Sequence, residues 1–382
     1  MNEIHTTQVN LSSDIINFGI GQPGFDLLPL VILRQAADLR MSWGDTHFLN
    51  YGYELGDGYF RIALASFLEP HYDLAISPDT LMVTAGASQA IDLICTRFTQ
   101  PGDVVFVAEP TYFLALRIFA DHRLQVVSIA ADQDGLIIDE LATALEMHRP
   151  ALLYTVPAFQ NPTGATLSQE RRQQLVKLAE EHDFLIVADE VYQLLDFGHK
   201  PPPPLACFIE SQHVFSVGSF SKILAPGLRL GWIQAAPELL KFLADSGLVD
   251  SGGGLNPFTS NIVRVALEEG WQDEHLIDLK EVYKQRAARM GSALGEHLPD
   301  SVEFDPPTGG FFYWLGLPEI VDTSRLLQTA QKQKVGYQPG IKFSSRQSQH
   351  NKMRLSFAFY DEDQIVEGIA RLGSVLSHFE FL

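Results

Sequence analysis

Lys222 lies in surroundings that are unusual for a lysine. The stretch FSVGSFSKILAPGLRLGW (residues 215–232) places it among serines, glycines and aliphatic side chains, without a carboxylate. Many lysines extend from a strand end to water. Apolar surroundings instead disfavour the charged amine, lower its pKa and make it a usable nucleophile. The stretch alone allows both interpretations.

Two groups of residues near the ends of apolar runs could hold an anion. Two hydroxyls and a guanidinium surround Lys222 in sequence, at Ser219, Ser221 and Arg229, and this combination suits a phosphate. Earlier in the chain, small residues stand between an apolar run and a helical pattern, where free backbone N–H groups favour an anion: Gly86, Ala87 and Ser88. An ordinary turn with a serine cap gives the same pattern.

Three other side chains follow apolar runs and could contact a flat, charged ring. Asp189 ends the run FLIVADE, and a buried carboxylate requires a cation such as a protonated pyridine nitrogen or an arginine, unless it is a helix N-cap. Tyr112 could stack on a ring, although core packing is commoner for an aromatic residue. Asn161 lies in the turn QNPTG and is either a crevice residue or a plain turn asparagine.

Short apolar runs that alternate with helical patterns must position these residues. Near-continuous apolar strands between helices predict an α/β fold, with a mainly parallel, seven-stranded sheet covered on both faces. Ligands of such sheets bind beyond the carboxyl ends of the strands, where the residues above would meet. The predicted strands are residues 81–86, 103–110, 124–130, 151–159, 184–190, 213–220 and 229–235.

Helical patterns between the strands suggest how the chain divides. SQAIDLICTRF places Ile91, Ile94, Cys95 and Phe98 on one face, and SQERRQQLVKLAEEHD begins at a capping Ser168 with its charges on the outer face. A long helix is predicted over residues 272–298. We expect a large domain at residues 45–272 and a smaller α+β domain formed by residues 1–44 and 273–382.

Composition excludes several classes of protein. The net charge of −20 argues against a nucleic-acid partner. Two cysteines give neither a disulfide framework nor a metal-binding pair, so we predict no metal and a reducing compartment. The polar N-terminus has no signal-peptide core, and no apolar run approaches a membrane span of about 20 residues. We therefore expect a cytoplasmic protein without a membrane partner.

Two further motifs have simple explanations. GIGQPG (residues 19–24) matches the G-x-G-x-x-G motif of dinucleotide-binding sites, but Pro23 interrupts the motif and a loop follows it. We therefore do not expect a nicotinamide enzyme. The four prolines at residues 201–204 are interpreted as a stiff connector.

A phosphate cradle, a stacking ring, a carboxylate and an amine at one sheet edge describe a pyridoxal 5′-phosphate site. The chain resembles the fold-type I, class I/II aminotransferases that use this cofactor, with an aspartate-aminotransferase-like fold, and is closest in appearance to 2-aminoadipate and aromatic aminotransferases. The resemblance covers essentially the whole chain, through GIGQPGFDLLP, LNYGYELGDGYFRIALASFL, TAGASQAIDL, EPTYF, PAFQNPTG, VADEVY, SFSKILAPGLRLGW, PPTGGFFYW and MRLSFAF.

This resemblance implies a role for each matching residue. Lys222 matches the Schiff-base lysine and proton shuttle, and Asp189 matches the carboxylate that keeps the pyridine nitrogen protonated. Asn161 and Tyr192 match the pair that binds the ring oxygen, and Tyr112 matches the stacking ring. The phosphate cup is matched by Gly86, Ala87, Ser88, Ser219, Ser221 and Arg229.

The resemblance also implies substrate and partner contacts. Arg354 matches the arginine that binds the substrate α-carboxylate as a bidentate pair, with Gly21 against the same group and Asn161 beside it. Tyr51 matches a tyrosine that reaches the phosphate of a neighbouring subunit, which implies a homodimer with shared sites.

We therefore predict an aminotransferase acting on an L-amino acid and a 2-oxo acid. A lyase on the same scaffold would use the same lysine, aspartate and arginine, so this alternative stays open. A non-catalytic ligand-sensing domain is the alternative from another class, although Lys222, Asp189 and Arg354 are all present. Related regulators carry such a domain behind a DNA-binding module, and about 14 residues before INFGIGQP are too few for one.

Overall fold

The structure is a computed structural model, and it describes residues 7–9 and 14–379. The strands in these residues are β1 (Ile16–Asn17), β2 (Leu81–Thr84), β3 (Val104–Glu109), β4 (Gln125–Asp132), β5 (Gly135–Leu136), β6 (Pro150–Thr155), β7 (Leu185–Asp189), β8 (Val214–Ser219), β9 (Gly231–Gln234), β10 (Phe312–Gly316), β11 (Val335–Gly336), β12 (Gln338–Pro339) and β13 (Lys352–Ser356). The helices are α1 (Leu30–Ser42), α2 (Gly58–Tyr72), α3 (Ala87–Phe98), α4 (Phe113–Asp121), α5 (Ile138–Met147), α6 (Gln169–His182), α7 (Pro237–Ala244), α8 (Gly247–Gly252), α9 (Pro257–Glu268), α10 (Trp271–His297), α11 (Thr323–Lys332) and α12 (Glu362–Phe379).

An eight-stranded sheet forms the centre of the α/β fold, in the order β2-β9-β8-β7-β6-β3-β4-β5. All seven predicted strands are present, and the pairs from β8 to β4 are parallel, as expected. The eighth strand, β5, is a two-residue edge strand antiparallel to β4. The sequence did not reveal it because two residues carry no apolar run. β9 runs antiparallel to both of its neighbours.

The sheet is buried on both faces, which explains its continuous apolar runs. Successive residues of a strand point to opposite faces. In β3, Val105 and Val107 belong to one buried cluster, whereas Phe106 and Ala108 belong to another on the opposite face. Helices cover both clusters, so the carboxyl ends of the strands stay at an edge that polar residues can occupy.

The N-terminal segment lies beside the C-terminal part of the chain. β1 pairs in parallel with β11, and β10, β13 and β12 form an antiparallel sheet next to α11 and α12. Helix α1 packs elsewhere, with Ala36 against Val265 and Ala266 of α9. The division at residues 44/45 and 272/273 stays a prediction.

Helix α6 begins where the sequence predicts, but one of its charged side chains is not on the outer face. The Ser168 hydroxyl accepts a hydrogen bond from the Arg171 backbone N–H and so caps the helix. The prediction that its charges face outward is wrong for Arg172, whose side chain has 0% exposure. Three backbone carbonyls and a carboxylate surround its guanidinium and make burial tolerable.

No helix in residues 7–9 and 14–379 is both long enough and apolar enough to cross a bilayer.

Candidate active site

Lys222 follows β8 and points its amine at the N-terminal segment. Its Nζ donates a hydrogen bond to the Gly21 carbonyl at 2.7 Å and lies 5.4 Å from the centre of the Phe311 ring. Burial, together with the charge of the nearby Arg354, lowers the pKa of the amine to about 8, and Asp189 opposes this lowering. A large fraction of the amine is therefore neutral near pH 8, as a nucleophile or a base requires.

Asp189 is the last residue of β7 and is 4% exposed. Its Oδ2 accepts a hydrogen bond from the Tyr154 hydroxyl at 2.7 Å, whereas its buried Oδ1 has no hydrogen-bond partner among the described residues. Burial raises the pKa of the carboxyl to about 6, while Tyr154 and Lys222 oppose the rise. An unsatisfied buried carboxylate oxygen is costly, so Oδ1 requires a donor.

Arg354 lies in β13 and is 3% exposed. It donates to Asn161 Oδ1 and to the Gly19 carbonyl, both at 2.8 Å, and its guanidinium carbon is 4.1 Å from the centre of the Phe312 ring. The ion pairs in the described part of the chain include none to Arg354, and its Nε is buried without a partner there. Burial lowers its pKa to about 10. The site therefore presents a buried cation that lacks a carboxylate.

The predicted ring contacts surround the same space. Asn161 is buried and bonded to Arg354, and Tyr192 is buried beneath the Lys222 amine, 5.9 Å from its ring centre. Burial raises the pKa of Tyr192 well above its ordinary value. Burial, assisted by the Asp189 charge, likewise raises the pKa of Tyr112 to about 12, while Arg354 and Arg229 oppose the rise. The charges of the site therefore act on Tyr112.

The N-terminus of α3 provides a place for an anion. Gly86 is its N-cap with φ +89°, and no described side chain caps the helix there, so the first amides, at Ala87 and Ser88, face outward. A Cβ at residue 86 would lie 2.7 Å from Arg229 Nη2 and would be strained at this φ. Glycine therefore allows the guanidinium to approach the helix N-terminus.

The other predicted anion contacts meet this helix from β8 and β9. Arg229 donates from Nη2 to the Ala85 carbonyl at 3.1 Å. Ser219 Oγ donates to Ser221 Oγ at 2.9 Å. Gly231 begins β9, and a Cβ on it would lie 3.0 Å from the Cα of Gly86. The close approach of these strands brings the serines and the helix N-terminus together.

Gly21 and Tyr51 complete the predicted set. A Cβ on Gly21 would lie 3.3 Å from Arg354 Nη2, so Gly21 borders the guanidinium as expected. Tyr51 is 80% exposed, in the loop before α2. Its reach to a neighbouring subunit stays a prediction.

Two contributors to the site were not predicted from the sequence. Tyr154 holds Asp189 by its hydroxyl, and its signal was a phenol within an otherwise apolar strand, since a buried tyrosine normally finds a hydrogen-bond partner. The second contributor is the backbone of GIGQPG: the Gly19 carbonyl accepts from Arg354 and the Gly21 carbonyl accepts from Lys222, a role that requires no dinucleotide.

The residues present fit a phosphorylated pyridine. Asp189 Oδ1 lacks a donor, which a protonated ring nitrogen would supply. The uncapped α3 and Arg229 lack an anion, which a phosphate would supply. The charges of Asp189 and Arg229 both act on Lys222, an amine with a lowered pKa.

Known proteins share this architecture. Residues 13–372 match the family model described as aminotransferase class I and II. The aromatic-amino-acid aminotransferase 1 of Thermococcus litoralis is 36% identical over 96% of this chain and 88% of that protein. The multiple substrate aminotransferase of Thermococcus profundus superimposes with a TM-score of 0.90 at 36% identity, over 97% of this chain and 93% of that one.

A third relative carries a bound cofactor derivative. The α-aminoadipate aminotransferase LysN of Thermus thermophilus was solved with N-(5′-phosphopyridoxyl)-L-leucine, and matches with a TM-score of 0.88 at 29% identity, over 97% of this chain and 94% of that one. The family match over nearly the whole chain and the fit of the site lead to one conclusion. The chain belongs to the class I and II aminotransferases, enzymes that use pyridoxal 5′-phosphate.

Proposed function

We propose that the chain moves the amino group of an L-amino acid to a 2-oxo acid in two half-reactions, with ping-pong kinetics. One observation carries the proposal. An amine with a lowered pKa, Lys222, is influenced electrostatically by both a buried carboxylate with an unpaired oxygen, Asp189, and a buried guanidinium without a carboxylate, Arg354. This set can bind an α-amino acid by its carboxylate and move its α-proton.

Each residue has a separate task. Pyridoxal phosphate, when bound, supplies a carbonyl that reacts with amines and a ring that accepts an electron pair. Arg354 and Asn161 bind and orient the substrate carboxylate. Lys222 would hold the cofactor covalently, and its neutral amine, once released, would take the proton from the substrate α-carbon and deliver it to the carbon that receives the amino group. Asp189 would accept a hydrogen bond from the protonated ring nitrogen.

Covalent trapping tests the role of Lys222. The purified protein with pyridoxal phosphate should absorb visible light, and borohydride should fix the cofactor on Lys222, as read by peptide mass spectrometry. Fixation on any other lysine would overturn the assignment. K222A should lack the adduct, which controls for reaction with surface lysines.

The lyase alternative predicts different products from the same residues. In the absence of a 2-oxo acid, transamination stops after one equivalent of amino acid per site. Sustained release of ammonia and pyruvate without an acceptor would instead favour the lyase. Because relatives are named for aromatic amino acids and α-aminoadipate, the amino-acid panel should include both. Turnover in this panel would also exclude a purely ligand-sensing domain.

We further propose a homodimer in the cytoplasm. Large apolar side chains are exposed around Tyr51, and Trp43 and Tyr59 both stack on Arg264 within this surface. Such exposed patches commonly mark protein interfaces. Sedimentation should give a dimer, and Y51F should weaken cofactor binding while the matched Y59F should not. A monomer with full cofactor affinity would contradict the proposal.

A further inference from the structure

A buried arginine holds the base of the loop that carries Asn161. This loop, residues 157–167, is closed by a hydrogen bond from the Leu167 backbone N–H to the Pro157 carbonyl at 2.8 Å. Arg172 donates from Nη2 to the same Pro157 carbonyl and from Nε to the Leu167 carbonyl, each at 2.9 Å. One guanidinium therefore grips both ends of the loop.

The same guanidinium faces the residue that follows Asp189. Its Nη1 lies 3.6 Å from Glu190 Oε1, and neither side chain has any exposed surface. Glu190 also accepts hydrogen bonds from the Leu205 backbone N–H at 2.8 Å and from Ser216 Oγ at 2.5 Å. Ser216 belongs to β8, the strand that leads to Lys222.

The proline run also contacts the Arg172 guanidinium. Arg172 Nη1 donates to the Pro203 carbonyl at 2.8 Å, so residues 201–204 do more than connect two elements. Each of the three guanidinium nitrogens of Arg172 thus donates a hydrogen bond, and both carboxylate oxygens of Glu190 accept one. A fully satisfied buried ion pair commonly adds little net stability over apolar side chains, so stability alone does not account for this one.

We propose that Arg172 is a positioning residue for transamination, which fixes the Asn161 loop relative to Asp189 through its ion pair with Glu190. The inference rests on the proposed function. The Arg172 side chain has no exposed surface, so it cannot reach substrate or cofactor. It acts through the backbone of residue 157 on one side and through residue 190 on the other. The distance between Asn161, expected at the ring oxygen, and Asp189, expected at the ring nitrogen, is thereby fixed.

R172K tests this role, with R171K as its matched control. Lysine keeps a charge for Glu190 but cannot bond the Pro157, Leu167 and Pro203 carbonyls together. Arg171 is the adjacent residue of α6 and also anchors a loop, through Asp132 at 2.6 Å and the Gly135 carbonyl at 3.0 Å. Its substitution therefore reports the general cost of losing a guanidinium from this helix.

The readout is the pH titration of the visible absorbance of the holoenzyme, together with kcat and KM. R172K should shift the titration midpoint by about one pH unit, the effect of weakening one hydrogen bond to the ring, and lower kcat about tenfold with a smaller change in KM. R171K should match the wild type in all three. An R172K enzyme with a lower unfolding midpoint but wild-type titration and kcat would overturn the proposal.

A second variant covers misfolding of R172K. R172M/E190Q removes both buried charges at similar volume and should fold, bind cofactor and show the shifted titration. A wild-type titration in that variant, or failure of both variants to fold while R171K folds, would assign Arg172 to stability alone. A wild-type protein without visible absorbance in the presence of cofactor would instead refute the proposed function itself.

Discussion

Arg354 Nη1 donates a hydrogen bond to Asn161 Oδ1 at 2.8 Å, across 193 residues of sequence. Arg354 belongs to β13 in the C-terminal part of the chain, and Asn161 follows β6 of the large sheet. The bond therefore joins the proposed carboxylate site to the proposed cofactor site. A substrate carboxylate bound by Arg354 would thereby lie beside Asn161, the residue that we propose contacts the ring.

R354K should impair the enzyme for substrates that carry an α-carboxylate. Lysine keeps the charge but loses the planar fork that binds a carboxylate with two hydrogen bonds. We expect kcat/KM for the preferred amino acid to fall about 100-fold, since a hydrogen bond to a charged group contributes roughly 1.5–3 kcal/mol. Single-turnover kinetics measure this. Reaction with an amine that has no carboxylate should be slow in both proteins and equal, and a matching 100-fold loss there would contradict the role.

D189N should stabilise the cofactor-free protein while it abolishes transamination. Burial raises the pKa of Asp189 from 3.8 to about 6, a rise of about 2 units, so the ionised carboxylate costs up to about 3 kcal/mol of folding free energy. Asparagine removes this cost and still accepts from Tyr154. Denaturant unfolding at pH 7.5 should show the gain.

The pH dependence of that gain provides a control. Above pH 6 the carboxylate is ionised in both the folded and the unfolded protein, so the cost is fully present. Below pH 4 it is protonated in both states, and the advantage of D189N should vanish. An advantage that is equal at pH 3.5 and pH 7.5 would show that charge is not its cause.

Attachment of the cofactor to Lys222 should depend on pH with a midpoint near 8. Burial lowers the pKa of this amine to about 8, so its neutral, reactive fraction rises up to that pH and then levels off. Stopped-flow absorbance with cofactor-free protein at pH 6–10 measures the rate. Because Asp189 opposes the lowering, D189N should move the midpoint to lower pH. A rate that keeps rising to pH 10 would indicate an ordinary, solvated lysine.

R229Q should weaken cofactor binding through the phosphate. Arg229 is held beside the uncapped N-terminus of α3, and loss of its charge-assisted hydrogen bonds should raise the Kd for pyridoxal phosphate about 10- to 100-fold. R97Q is the matched control, since Arg97 lies in the last turn of the same helix and contacts Phe242. Equal losses in both variants would point to the helix rather than to the phosphate.

The sheet and the residues at its edge could be predicted from the sequence for one physical reason. A strand buried on both faces needs an unbroken apolar run, so a polar residue directly after the run marks the edge, as Asp189 does. Parallel pairing then brings successive ends together. Individual roles came from the resemblance, because a lysine or an aspartate at an edge has ordinary alternatives.

Other features depend on contacts that periodicity does not encode. The direction of β9 within the sheet follows from its connection to β8, not from its apolar pattern. Arg172 looks like one more charge on a polar helix, yet the carbonyls around it come from both ends of the Asn161 loop and from the proline run. The Tyr154–Asp189 bond likewise joins neighbouring strands whose register the sequence leaves open.

The hydrogen bond from Lys222 to the Gly21 carbonyl links loading of the enzyme to its N-terminal segment. An amine that holds the cofactor, as we propose for Lys222, can no longer donate to that carbonyl, while the Gly19 carbonyl two residues earlier still accepts from Arg354. The backbone carbonyls of residues 19–21 therefore contact a residue of each proposed site. Any change that strengthens the Lys222–Gly21 hydrogen bond in the cofactor-free protein must be overcome when the cofactor attaches to Lys222, and so should weaken cofactor binding.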